Sequence, residues 1–198
     1  MEDRYDPHTP APQEMTAKWL RILFYVQAAA LAASLLSFLP LPNALTLWFG
    51  RAVVLGVVIC MYQLSPAGDR YRKAFLFRGV MLALTLVTML LYSSTLLALA
   101  ASILSILATY QEYSAHSDLT AEADPKLSRN WHRLFNWQLV VGILTSVLSM
   151  AAVLVLVSLE MDAVRITAML TGALNLVGTV LQVIYLIFLN RMVRIFNG

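Results

Sequence analysis

Cysteine is nearly missing from this chain: Cys60 stands alone, inside an apolar run. A lone thiol forms no intrachain disulfide and completes no Cys-based metal site. Charge is scarce too, at 13% of residues, about half the ~25% usual in soluble domains. The spacings that mark a hydrolase elbow, a phosphate loop or a zinc protease (GxSxG, GxxxxGK[ST], HExxH), and CxxC, do not occur. The hydrolase, nucleotide and zinc chemistries those spacings serve therefore have no sequence support. No Asp or Glu falls inside the long apolar runs, which argues against a proton relay of carboxylates in lipid.

What is there is apolar. Hydrophobic residues make up 60% of the chain, above the ~45–50% of soluble domains. They are gathered into runs of about the ~20 residues that cross a bilayer. Spans are predicted at about 19–39, 45–64, 74–92, 95–111, 137–159 and 166–189. Breaks fall at Pro40-Leu41-Pro42-Asn43 and Ser65-Pro66-Ala67-Gly68-Asp69, because proline lacks an N–H and restricts its predecessor. The stretch from Ala74 to Tyr110 is almost unbroken. As one helix it would be about 55 Å long, against about 30 Å of hydrocarbon. Two spans turning at Ser93-Ser94-Thr95 fit better. Residues 1–17, with Pro7, Pro10 and Pro12, read as a disordered tail, and 18–198 as one membrane domain.

The cations set the orientation. Arg4, Lys18 and Arg21 flank the first span. Arg70, Arg72, Lys73 and Arg78 follow the second, Lys126, Arg129 and Arg133 the fourth, and Arg191 and Arg194 the sixth. Those twelve fall on one side, and only Arg51 and Arg165 on the other. Positive loops stay in the cytoplasm. The expectation is an all-α polytopic membrane helix bundle of six transmembrane helices, in the cell membrane, with both termini cytoplasmic.

A cytoplasmic loop is expected over 112–136. Within it, Asp124-Pro125 suits a helix start. The helix that follows is amphipathic, with Leu127, Trp131, Leu134, Phe135 and Gln138 on one face and Lys126, Arg129 and Arg133 on the other. Lys126, Arg129, Trp131 and Arg133 are thus expected at the membrane surface. Trp19-Leu20-Arg21 resembles Trp131-His132-Arg133, but helices entering from the cytoplasm commonly carry Trp and Arg there.

Few residues carry chemistry. Arg51 lies some way inside the second span, where an ionisable side chain is a functional candidate. Its long stem reaching back to the interface beside Trp48 is the plainer reading. On the sixth span Ala168, Thr171, Gly172, Asn175, Thr179 and Gln182 share a face, and on the fifth Gly142, Thr145, Ser146, Ser149 and Ala152 do so. Asn175 and Gln182 are therefore candidate polar binding groups, although small and polar faces also serve helix packing. Glu112, His116 and Asp118 fall in the loop, where solvation accounts for them and no metal-ligand spacing supports a site. No cofactor is implied. The cations sit beside apolar runs, so the partners expected are the lipid bilayer and other membrane subunits, not nucleic acid.

A non-enzymatic, membrane-embedded interaction or scaffold component is the reading these features support first. A small-molecule transport component is the alternative. The Ala28-x-x-x-Ala32 pattern of the first span, with six spans and inward termini, resembles the substrate-binding subunits of energy-coupling-factor vitamin transporters. That resemblance implies a partner subunit docked on the first span. The polar and aromatic substrate loops of that family are not evident here.

Overall fold

A computed structural model describes residues 13–36, 43–90, 95–158 and 161–196. Among the described residues the chain is all helical, without strands. Six α-helices follow one another: α1 (Gln13–Leu36), α2 (Asn43–Leu64), α3 (Asp69–Leu90), α4 (Thr95–Thr120), α5 (Pro125–Ser158) and α6 (Met161–Phe196). The breaks expected at 40–43 and 93–95 fall mostly outside the described residues. A 3-10 turn, Ser65–Ala67, with Pro66 in its first turn, links α2 to α3.

Three of the boundaries that differ from expectation shape the packed end. Helix α1 starts at Gln13, four residues before the expected end of the tail, and Thr16 and Ala17 are buried. Packing against the bundle holds residues that composition alone assigns to a loose segment. Helix α4 runs on to Thr120, and α5 begins at Pro125, so the loop expected over 112–136 shrinks to a turn. Asp124 starts α5: its Oδ1 accepts the Leu127 N–H at 3.0 Å and its carbonyl accepts the Ser128 N–H at 3.0 Å. The amphipathic segment is therefore no separate surface helix, but the first turns of a continuous 34-residue α5.

The helices pack in chain order, each against the next, and α6 returns onto α1 to close a ring. Cross-helix contacts run antiparallel. Tyr71 and Arg78 of α3 meet His116 and Glu112 of α4, and Ser117 of α4 meets Ser128 of α5. Between α1 and α2, a Cβ placed on Gly56 would lie 3.2 Å from a Val26 methyl, so glycine allows that approach.

The core occupies one end of this ring. Leu20 and Leu23 of α1, Met61 and Leu64 of α2, Tyr71 and Ala74 of α3, Leu127 and Trp131 of α5, and Leu189 and Met192 of α6 are all but inaccessible. Toward the other end, Val140, Ile143, Val147, Met169, Leu176 and Val180 are exposed. Two helical stretches, Trp48–Ala67 and Met169–Phe196, are long and apolar enough to cross a membrane, with mean hydropathies of 1.5 and 2.0.

Candidate functional site

The packed end encloses a polar cluster built by α3, α4 and α6 and roofed by α5. Helical spacing puts Glu112, His116 and Thr120 on one face of α4, and that face is fully buried. Arg78 of α3 forms an ion pair with Glu112 Oε2. Tyr185 of α6 donates its hydroxyl to Glu112 Oε1 at 2.6 Å. Both carboxylate oxygens are thereby occupied, and His116 Nε2 stands 3.9 Å from Oε1.

These contacts order the protons. The Tyr185 hydroxyl hydrogen is spent on Glu112, so its oxygen is free to accept from His116 Nε2–H at 3.3 Å. An imidazole carrying one proton then leaves Nδ1 to accept from the Tyr71 hydroxyl at 2.8 Å. With His116 in that tautomer, a chain of hydrogen bonds runs from Tyr71 through His116 and Tyr185 to Glu112. Thr120 Oγ1 donates to the His116 carbonyl at 2.8 Å, which keeps that hydroxyl within its own helix.

Trp131 covers the cluster from α5. Its ring centroid lies 4.7 Å from that of His116, 5.3 Å from Tyr185, 5.5 Å from Tyr113 and 5.6 Å from Phe188. The edge-to-face contacts with Tyr113, Tyr185 and Phe188 add to the area buried. Beside it, Tyr113 donates its hydroxyl to Gln138 Oε1.

The cluster sets Glu112 far from an ordinary carboxylate. Burial works against its charge, but Arg78 foremost, then His116 and Tyr185, outweigh burial and hold the carboxyl down at about 2. Burial first, and the Glu112 charge second, push the Tyr71 and Tyr113 hydroxyls up. The result is a fixed negative charge with its donors in place. It suits holding helices together and leaves neither carboxylate oxygen open to a substrate.

Outside the cluster, a cleft of about 680 Å³ opens between the start of α3 and the last turns of α4, with Tyr71 in its wall. Arg70 of α3 reaches Asp118 of α4 at 2.7 Å, and Lys73 reaches Asp69 at 2.6 Å, so its lining charges are largely paired.

The residues singled out from sequence are scattered. Arg51 is half-buried on α2, Asn175 is exposed on α6 and Gln182 is half-buried there; none joins the cluster. The polar stripes of α5 and α6 turn inward on their own helices: Thr145, Ser146 and Thr179 each donate to the carbonyl four residues earlier. Lys126, Arg129 and Arg133 are exposed, whereas Trp131 is wholly buried. The apolar face of that segment meets α4 and α6 rather than lipid, which corrects its expected surface placement. Glu112 and His116, expected in a solvated loop, are instead buried on α4. A signal for this existed: Arg78 lies as far before Thr95 as Glu112 lies after it, so a hairpin turning there brings the two level.

Among the described residues no group of three or more His, Cys, Asp or Glu is placed to hold a metal. Compared with protein-family models, curated proteins and solved structures, the chain matches none.

Proposed function

We propose that this chain is a six-span integral membrane protein of the cell membrane, with both termini cytoplasmic. In this reading it catalyses no reaction and works by binding other membrane components. The observation that carries it is the polarity of the bundle. The buried, ion-paired end is the end where the cations gather, while the other end shows bare apolar side chains such as Ile143, Val147, Met169 and Leu176. Such a surface is costly in water and suited to lipid. Among the described residues, the two stretches that meet the length and hydropathy of a span are only 28% and 22% buried, unlike core helices of a soluble protein. At about 50 Å, α5 and α6 exceed the ~30 Å hydrocarbon layer. The surplus coincides with the clamped end, so the polar cluster belongs at or beyond the cytoplasmic interface.

The non-enzymatic part rests on Glu112, whose oxygens are both engaged, and on a buried Cys60. The test is capture from native membranes after mild solubilisation. A stoichiometric membrane-protein partner, retained when His116 is replaced by Gln, is the expected result. Loss of every phenotype with H116Q in a protein that stays folded and partnered would instead argue for chemistry at the cluster.

A transport component is the second reading, favoured by the ~680 Å³ cleft at the cation-rich end. A small organic ligand surviving purification and native mass spectrometry, and lost on Tyr110→Ala at the cleft wall, would raise it above the first.

A further inference from the structure

At the cation-rich end a second concavity, of about 370 Å³, lies between the start of α1 and the last turn of α6. Its apolar floor is Ala17, Ile22, Tyr25 and Phe196, and Lys18 and Arg21 stand over it. Three residues apart, the two cations share one face of α1, and Tyr25 continues that face one turn further along. Ile22 and Phe196 pack on the core, so the floor is anchored, while Tyr25 is 63% exposed. Lys18 and Arg21 are exposed and form no ion pair among the described residues. Arg70, Lys73, Arg78 and Arg191 at the same end each meet a carboxylate.

We propose that this groove binds one anionic phospholipid, its phosphate on Lys18 and Arg21 and the start of its acyl chains along Ile22, Tyr25 and Phe196. The inference rests on the membrane reading above. Two cations with no ion pair among the described residues, standing over an apolar floor, call for an anion that is also an amphiphile. A free phosphate ion would use the cations and gain nothing from the floor. A zwitterionic lipid would bring its own cation into competition with Lys18 and Arg21. Glu14 lines the same groove. Its carboxylate disfavours a headgroup with a second exposed phosphate and suits one offering hydroxyl donors, as phosphatidylglycerol does. A tyrosine at this level fits the interfacial belt, with the ring in the headgroup region and the hydroxyl toward water. Arginine can hold two phosphate oxygens at once, and lysine adds a point charge.

The test is the full chain in nanodiscs of equimolar phosphatidylglycerol and phosphatidylcholine, with native mass spectrometry of the lipid that stays bound. Wild type is expected to retain phosphatidylglycerol selectively. The variant K18Q/R21Q is expected to lose that selectivity by about tenfold or more, since a cation near an anionic surface is worth about fivefold each. K18R/R21K keeps both charges and should restore it, and K126Q/R129Q, with charges removed from another exposed face, should leave it intact. Unchanged selectivity in K18Q/R21Q, equal loss in K126Q/R129Q, or displacement of the lipid by soluble glycerol phosphate would each overturn the site. A chain that refuses to enter the disc at all overturns the membrane reading and this site with it. A chain that enters but shows no lipid preference overturns this site alone.

Discussion

At the scale of single residues, the Arg78–Glu112 pair dominates. Arg78 is 14% exposed and Glu112 1%, so neither charge can turn to water when its partner is removed. Breaking such a pair on one side costs about 3–5 kcal/mol, whereas replacing both partners with apolar groups of similar volume is often neutral. R78M and E112M should therefore each lower the unfolding midpoint in detergent, and the double variant R78M/E112M should recover most of the loss. Additive losses in the double variant would mean that the pair is not coupled. The depressed Glu112 pKa also makes a pH statement. The folded state holds the proton more weakly than the unfolded chain, so the contribution is complete above the ordinary carboxylate value of 4.5. It drains away as pH falls toward about 2. E112Q should be less stable than wild type at neutral pH, and the gap should narrow on acidification through that window. Tyr185→Phe strips a donor from Glu112 and an acceptor from His116. It should cost about 1–3 kcal/mol, the usual penalty for buried polar groups left short.

At the scale of elements, the junction between α4 and α5 shows what sequence can and cannot specify. The Asp124-Pro125 start was legible because capping is local: a side-chain oxygen, a free N–H and a residue with no N–H to lose. Asp124→Ala should cost about 1 kcal/mol by thermal unfolding. Asp124→Asn keeps the cap and gives up only the ion pair to exposed Arg191, so it should stay near wild type. The amphipathic pattern after Pro125 was legible too, with Leu127, Trp131 and Leu134 on one face. What that face touches was not. Helical periodicity says that a surface is apolar, but lipid and protein satisfy it equally. The same ambiguity hid the cluster. Glu112 and His116 look like loop residues until Tyr71, Arg78 and Tyr185, far away in sequence, arrive to satisfy them. Only the Arg78–Glu112 match between α3 and α4 could have been found, from the need of a cation inside an apolar run for a partner.

At the scale of the whole molecule, the ring of six helices and its sidedness arise from one asymmetry. Among the described residues, the buried polar and aromatic side chains are gathered where α1, α3 and α5 begin and where α2, α4 and α6 end, and exposed aliphatic side chains predominate toward the other end. An up-and-down chain places all of those termini at one end, so alternation of loop charge and concentration of the core are the same fact seen twice. Among the described residues, two helical stretches meet the length and hydropathy of a span on their own. The six-span reading predicts which positions an impermeant thiol reagent can reach. In a Cys60→Ser background, Glu122→Cys and Lys126→Cys at the α4–α5 turn should stay unlabelled in intact cells and react once the membrane is opened. Asp162→Cys, in the connection between the fifth and sixth spans, should react in intact cells. Cys60 itself is buried, so its removal clears the background at a cost confined to the core. Labelling of Glu122→Cys from outside would invert the topology. Labelling of both positions from the same side would remove the crossing between them, and with it the reason α5 is long enough to clear the bilayer and still roof the cluster with Trp131.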